Sequence, residues 1–404
     1  MIKQLLFSAI AFLFLANVQA QTIKLSPRAQ ISLLTCGPAN EVYALYGHAA
    51  LRVNDPGHHW DMVFNYGVFS FNSPHFIYRF ARGETNYMLA IESYTNFYRS
   101  YLLSGRSVEE QLLNLNPAEK QKMTNFLLWN ARPENREYRY NYFFDNCASR
   151  LRDVIENNVD GKISYNDQGA QKTFRRHIDQ WQKPMPWINF GIQILIGSPA
   201  DRIATRKEEM FLPFYLQKHM QQAVILTPGK PQRKLVTEKH ILYAGVTRSS
   251  PSWWTGPVSM LGIILLLVIG ISLRELKFKK RTYALDYILF VLNGLAGFLL
   301  LAFVLFSEHP AMHPNYNLCW AIPFNLLFIL AWINKSWRSW LSYYWPLLSV
   351  WLLGMLFFGW LIPQRWFPEF YLLMAMLLTR SLLHSWQWMD QLRNTKNEIE
   401  DAEF

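Results

Sequence analysis

Apolar and polar residues follow two regimes along this chain. Up to about Glu238 charged residues are frequent and apolar positions come in short alternations; after Trp253 long apolar runs dominate and charges gather in brief clusters. In the first regime, Ile31–Cys36 is strand-like and Ala49–Val53 is a second short strand. Asn54-Asp55-Pro56-Gly57 is a turn signal, and Trp60–Tyr66 alternates as a half-buried strand does. His48 through Tyr66 is therefore expected to be a β-hairpin. Pro74–Phe80, Tyr94–Leu103 and Met210–Met220 suggest helices. Asn116-Pro117-Ala118-Glu119 starts a further one, with Asn as cap and Pro at the first helical position. Tyr138–Phe144 fits a strand or a buried connection. Asn146 then opens a helix through Ile155, with Leu151, Val154 and Ile155 inward and Arg150, Arg152 and Asp153 outward. Pro228–Lys239 is expected to be a polar, basic loop.

The second regime predicts about five membrane spans: 256–273, 285–306, 318–333, 345–362 and 370–388. The third is short and holds Pro323, which suggests a kinked or re-entrant segment; Arg380 interrupts the fifth. At the other end, Lys3, the apolar Leu5–Leu15 and Val18-Gln19-Ala20 form the pattern of an export signal. The expected domains are a signal at 1–20, an exported domain at 21–250, a helical membrane domain at 251–390 and a tail at 391–404. Arg274, Lys277, Lys279, Lys280 and Arg281 follow the first span, so that loop is expected to be cytoplasmic and the domain before it outside. The tail from Gln391 then ends inside. The chain is then expected to cross a membrane several times. Asn189–Ile196 is apolar enough to rest on the bilayer surface.

The net charge of +11 does not argue for nucleic acid, because much of the excess flanks the apolar spans. Three cysteines, Cys36, Cys147 and Cys319, make no disulfide framework. Cys319 sits in an apolar run; Cys36 and Cys147 could be bridged or free.

Two motifs in the exported segment carry chemistry: Tyr46-Gly47-His48, and Phe143-Phe144-Asp145-Asn146-Cys147. A Cys in the first turn of a helix is biased toward the thiolate, and its amide is one of the donors that the helix leaves free. A strand His can act as base and then as acid. A third polar group would orient the imidazole, and the facing strand offers Asp61, Asn65 and the pair His58-His59. Strand parity puts Asp61, Val63 and Asn65 on one face; Asp61 is the first choice, since a carboxylate also favours the imidazolium. Tyr138, Tyr140, Tyr142, Phe143 and Phe144 could wall an acyl chain or simply pack a core. Arg79 and Arg82 could meet lipid phosphate or face water. His309 and His313 lack the spacing of a zinc site. No metal or cofactor is expected.

His48 in Gly-His-Ala-Ala-Leu-Arg, the hairpin after it and Asn146-Cys147 resemble the circularly permuted papain-like fold of lecithin:retinol acyltransferase-like enzymes. Those enzymes move acyl chains from phospholipid through a Cys thioester. A wider resemblance is carried by Leu34-Thr35-Cys36-Gly37-Pro38, Tyr46-Gly47-His48, Asn65-Tyr66-Gly67, Phe80-Ala81-Arg82-Gly83 and Phe144-Asp145-Asn146-Cys147. With Glu308-His309-Pro310 and Asn315-Tyr316-Asn317, these resemble the Lnb-type lipoprotein N-acyltransferase family. The resemblance implies an α+β periplasmic cysteine domain followed by an α-helical transmembrane domain. It implies catalysis by Cys147, His48 and Asp61, with Asn146, Tyr46, Asn65, Arg82 and His309 as substrate-binding candidates. It also implies a phospholipid acyl donor and, as acceptor, the N-terminal amine of a diacylglyceryl-cysteine lipoprotein. The rival readings are a periplasmic cysteine peptidase or amidase acting on peptidoglycan, a phospholipase that releases the acyl chain to water, and a non-enzymatic lipid-binding scaffold.

Overall fold

A seven-stranded antiparallel sheet organises the N-terminal half, in the order β10 (Val236–Tyr243), β5 (Val108–Leu113), β1 (Gln30–Cys36), β2 (His48–Asp55), β3 (Trp60–Val68), β4 (Asn86–Ser93), β6 (Glu137–Arg139). The structure is a computed structural model describing residues 23–402, apart from residues 73, 167–170, 247–251 and 280–281. The export segment expected at 1–20, like Lys280 and Arg281 of the basic cluster, lies outside the described residues.

Strands β1 (Gln30–Cys36), β2 (His48–Asp55) and β3 (Trp60–Val68) form the centre, and β2–β3 is the expected hairpin. Strands β4 (Asn86–Ser93), β5 (Val108–Leu113) and β6 (Glu137–Arg139) extend it. Helix α1 is Phe76–Arg82, α2 is Tyr94–Leu103, α3 is Pro117–Asn130 and α4 is Cys147–Asn158. Strand alternation divides the core in two. One face (Leu33, Leu51, Phe64, Tyr66) is covered by Met123 and Leu127 of α3 and Leu151 and Ile155 of α4. The other (Leu34, Cys36, Ala50, Val63) is covered by Phe97 and Tyr101 of α2.

Next come β7 (Lys162–Ser164), α5 (Phe174–Gln182), α6 (Pro186–Leu195), α7 (Arg206–Glu209), α8 (Pro213–Gln222), β8 (Val224–Leu226), β9 (Arg233–Lys234) and β10 (Val236–Tyr243). The polar loop expected at Pro228–Lys239 is therefore corrected. Most of β10 pairs with β5 at the edge of the large sheet, and its charged residues face water. Polar side chains suit an exposed edge, which they protect from pairing with another chain.

Helices α9 (Pro257–Phe278), α10 (Tyr283–Phe306) and α12 (Leu341–Phe358) lie after α8 and on either side of the short α11 (Phe328–Ile333). Three helices among the described residues are long and apolar enough to cross a membrane: Pro257–Phe278, Tyr283–Phe306 and Leu341–Leu361. The segment expected as a third span, 318–333, is instead broken into turns before α11. Its backbone lies against α10, where a Cβ at Gly294 would come within 2.5 Å of Leu326 N and one at Gly297 within 2.4 Å of Ala321 O. Asn293 donates to Trp320 O and accepts from Ile322 N and Asn325 Nδ2, so it satisfies backbone groups that no helix serves. The fifth expected span lies in α13 (Pro368–Ala402). There Arg380 is fully buried against Asp286, Glu275 and Ser272, and His384 also meets Asp286. Opposite charges buried together are the arrangement that makes an ionisable residue tolerable at such a place.

The two halves are bound to one another. The chain leaving α10 grips α1: Ser307 Oγ donates to Ala81 O, Glu308 N to Arg82 O and His309 Nε2 to Phe80 O, each at 2.8 Å. Further on, Asn315 and Asn317 donate to the last carbonyls of α6. Arg175 is buried below them, paired with Asp201 and bonded to Ile196 O and Gly197 O.

Candidate functional site

Local chemistry fixes the start of α4. Asn146 is its N-cap: Oδ1 accepts from the amides of Ala148 and Ser149, and Ser149 Oγ accepts from Asn146 N, which closes a capping box. The Asn146 amide nitrogen donates to Tyr142 O and Phe211 O, both at 2.8 Å. All of its polar capacity thus goes into holding the helix mouth. Cys147 is the first helical residue, aimed back toward the sheet.

His48 opens β2, directly opposite Cys36 on β1. The β3–β4 ladder shifts register at this end of the sheet, between Tyr66 and Val68, and Gly67 takes a φ of +91°. A Cβ on Gly67 would stand 3.3 Å from Cys147 Cβ and 3.9 Å from His48 Cε1. The bare glycine is what lets the cysteine and the histidine share this corner.

The third polar group is a correction. Asp61 is not at the imidazole. It lies at the far end of the hairpin, opposite Asn54. That is some six residues along β3 from Gly67, or about 20 Å. There Arg52 takes its carboxylate through two bonds, at 2.8 and 2.7 Å. Asn65, on the same face and nearer the break, is the residue that meets the histidine: His48 Nε2 donates to Asn65 Oδ1 at 2.6 Å. Asn65 Nδ2 is committed to Glu92 Oε1 at 3.2 Å, so its oxygen is turned toward the ring. An acceptor at Nε2 fixes the proton there and leaves Nδ1 as the basic nitrogen of the neutral ring.

Burial pushes the Cys147 thiol up to about 11, while the amides of Ala49, Ala148 and Cys147 itself pull it the other way. Burial lowers His48 to about 4; the bond to Asn65 opposes this, and the nearby Arg106 charge adds to it. At neutral pH the pair therefore rests as thiol and neutral imidazole. Arg106 donates to Gly37 O at 2.8 Å and lies over the Tyr101 ring. Cys36, beside it, is buried, and desolvation holds its thiol far above the usual range. All three cysteines are free.

The other candidates are dispersed. Tyr46 accepts from Gln182 Nε2 at its hydroxyl and packs against Tyr142, with ring centroids 5.2 Å apart. Arg82 pairs with Glu84 at 2.9 Å, and His309 holds the end of α1. Neither touches the Cys147–His48 corner directly. The aromatic run divides: Phe143 joins Phe174 and Phe211 in a separate core, whereas Tyr140 stacks on Tyr87 at 4.0 Å, within electrostatic reach of Cys147. Gly67 and Arg106 were not among the sequence candidates. Gly67 stood in the Asn65-Tyr66-Gly67 motif; nothing in the sequence around Arg106 marks it.

Residues 17–182 match the family description Lnb N-terminal periplasmic domain, and residues 249–392 match Lnb transmembrane domain. No curated protein and no solved structure matches the chain.

Proposed function

The chain belongs to the Lnb family, and on that footing we propose that it is a cysteine-dependent acyltransferase. It is a membrane protein with a periplasmic N-terminal domain. In the proposed reaction, it moves a fatty acyl chain from a phospholipid through a thioester on Cys147 to the N-terminal amine of a diacylglyceryl-cysteine lipoprotein. The setting is the inner membrane, crossed several times. The observation that carries this reading is the corner built by Cys147, His48 and Asn65 around Gly67.

The residues divide the work as follows. His48 Nδ1 takes the Cys147 proton as sulfur attacks the acyl carbonyl. The amide of Cys147, at the mouth of α4, faces the developing oxyanion. The ester C–O bond breaks, and His48 returns the proton to the leaving glycerol oxygen. In the second half the acceptor amine attacks the thioester and gives His48 a proton. The C–S bond breaks, and that proton restores the thiol. Asn65 holds the ring through both halves and keeps its Nε2 proton in place. Because thiol and imidazole start neutral, no buried charge has to persist between turnovers. Cys147 is only partly exposed, which limits the water that would otherwise drain the thioester.

Mass spectrometry of a lipoprotein N-terminus from cells with and without this protein tests the reading. Loss of one amide-linked acyl chain in its absence is expected; an unchanged N-terminus would overturn it.

A further inference from the structure

Helix α1 is unusual for a water-facing element: it buries none of its residues, and Ile77 is 82% exposed, Tyr78 60% and Phe80 44%. Val42, Tyr43 and Phe71 continue the apolar surface. Ring contacts tie it together, Tyr43 to Phe69 at 5.8 Å and to Phe71 at 5.9 Å. An exposed patch of large apolar side chains marks a contact surface.

Two features indicate what covers it. Outward, α1 is fastened at Phe80, Ala81 and Arg82 to residues 307–309, which directly follow the apolar helix α10. The patch therefore sits level with the end of a helix long enough to cross a bilayer. The helix also carries two arginines, Arg79 and Arg82, against one neighbouring acid, Glu84, which pairs with Arg82, so this end stays net positive and suits phosphate headgroups. Inward, a row of stacked rings runs from the patch into the core cluster that also holds Cys147. Phe76 stacks on Phe69 at 5.4 Å, Phe69 on Tyr87 at 4.8 Å, and Tyr87 on Tyr140 at 4.0 Å.

We propose that α1, with Val42, Tyr43 and Phe71, is a lip immersed in the periplasmic leaflet, and that the aromatic row behind it guides one phospholipid acyl chain to Cys147. This rests on the acyl-transfer reading. It adds that the donor slides in from the bilayer side without leaving the leaflet. The short α1 is suited to this because its apolar side chains need no partner from the protein.

Depth and turnover test it separately, both in the full-length protein reconstituted into phospholipid nanodiscs. A nitroxide on Ile77→Cys, with the other cysteines replaced by Ser, is expected to be relaxed more strongly by dissolved oxygen than by a water-soluble nickel chelate. The opposite order would overturn the lip. The double variant Ile77→Glu, Tyr78→Glu is expected to lose about tenfold or more of its kcat/KM for bilayer phospholipid. Cys147 in that variant should be alkylated by iodoacetamide within about twofold of the wild-type rate, since the polar lip leaves the corner itself intact. Unchanged turnover of phospholipid, or a collapse of thiol reactivity together with turnover, would contradict the proposal. Should the wild-type protein form no thioester from phospholipid, the acyl-transfer reading falls, and the nitroxide still decides whether α1 lies in the membrane.

Discussion

Asn65 Oδ1 accepts a hydrogen bond from His48 Nε2 at 2.6 Å, while Asp61, on the same face of the same strand, is bound to Arg52. The choice of orienting residue is therefore set by register, and it can be measured. Asn65→Ala should lower acyl transfer by about 10²-fold with little change in KM, because it frees the ring and its tautomer without removing the base. Asp61→Asn should leave turnover within about threefold and cost at most about 1 kcal/mol of stability, as expected for a pair that is partly exposed. Steady-state kinetics on the two variants checks both. The reverse pattern would return Asp61 to the site.

The neutral resting pair predicts a pH profile. His48 is lowered to about 4, mainly by burial, and Cys147 is raised to about 11 by burial. Turnover should then be flat across the neutral range and fall only as acid protonates His48 toward pH 4. Arg106 lowers His48, so Arg106→Gln should move the acid limb to higher pH. A limb that moves the other way, or an acid limb near the ordinary histidine value of about 6.5, would contradict the assignment.

The same shift has a consequence for stability. An unfolded histidine takes up a proton near 6.5, whereas folded His48 resists until about 4. Over that interval the unfolded chain binds more protons, so stability should decline as pH falls from about 6.5 to about 4. His48→Gln should flatten this part of the curve in denaturant titrations of the detergent-solubilised protein.

Gly67→Ala tests the corner itself. The new Cβ would need a positive φ and would press on Cys147 Cβ at 3.3 Å. The variant should lose more than about 1 kcal/mol of stability and most of its activity. Retention of both would mean that the two side chains do not need this gap.

Local pattern revealed the parts whose structure is local. The Asn116 cap with its Pro117 and the Asn146 helix start are written in adjacent residues and appear as expected, while the turn signalled at Asn54–Gly57 forms two residues later, at 56–59, because Asn54 and Asp55 still pair in β2. Parity correctly put Asp61 and Asn65 on one face. What parity lacks is position along the strand: the β2–β3 pairing puts Asp61 opposite Asn54, at the end of the hairpin away from His48, and leaves Asn65 as the like-facing residue within reach of the ring. Strand β10 was hidden for another reason. Its outward residues are charged because it is an edge, so alternation is masked. In the membrane half, Pro323 announced an interruption. Asn293 on α10, far back in the chain, is what makes the broken segment tolerable, and no window around 318–333 contains it.

If Cys147 carries the acyl chain, the thioester can be trapped. Purified protein should be incubated with a phospholipid of single known acyl composition, without acceptor, and digested for peptide mass spectrometry. One acyl mass should appear on the peptide containing Cys147, be removed by hydroxylamine, and be absent from Cys147→Ala but retained in Cys36→Ser. An acyl group found on Cys36, or lipoprotein N-acylation by the Cys147→Ala protein, would contradict that role for Cys147.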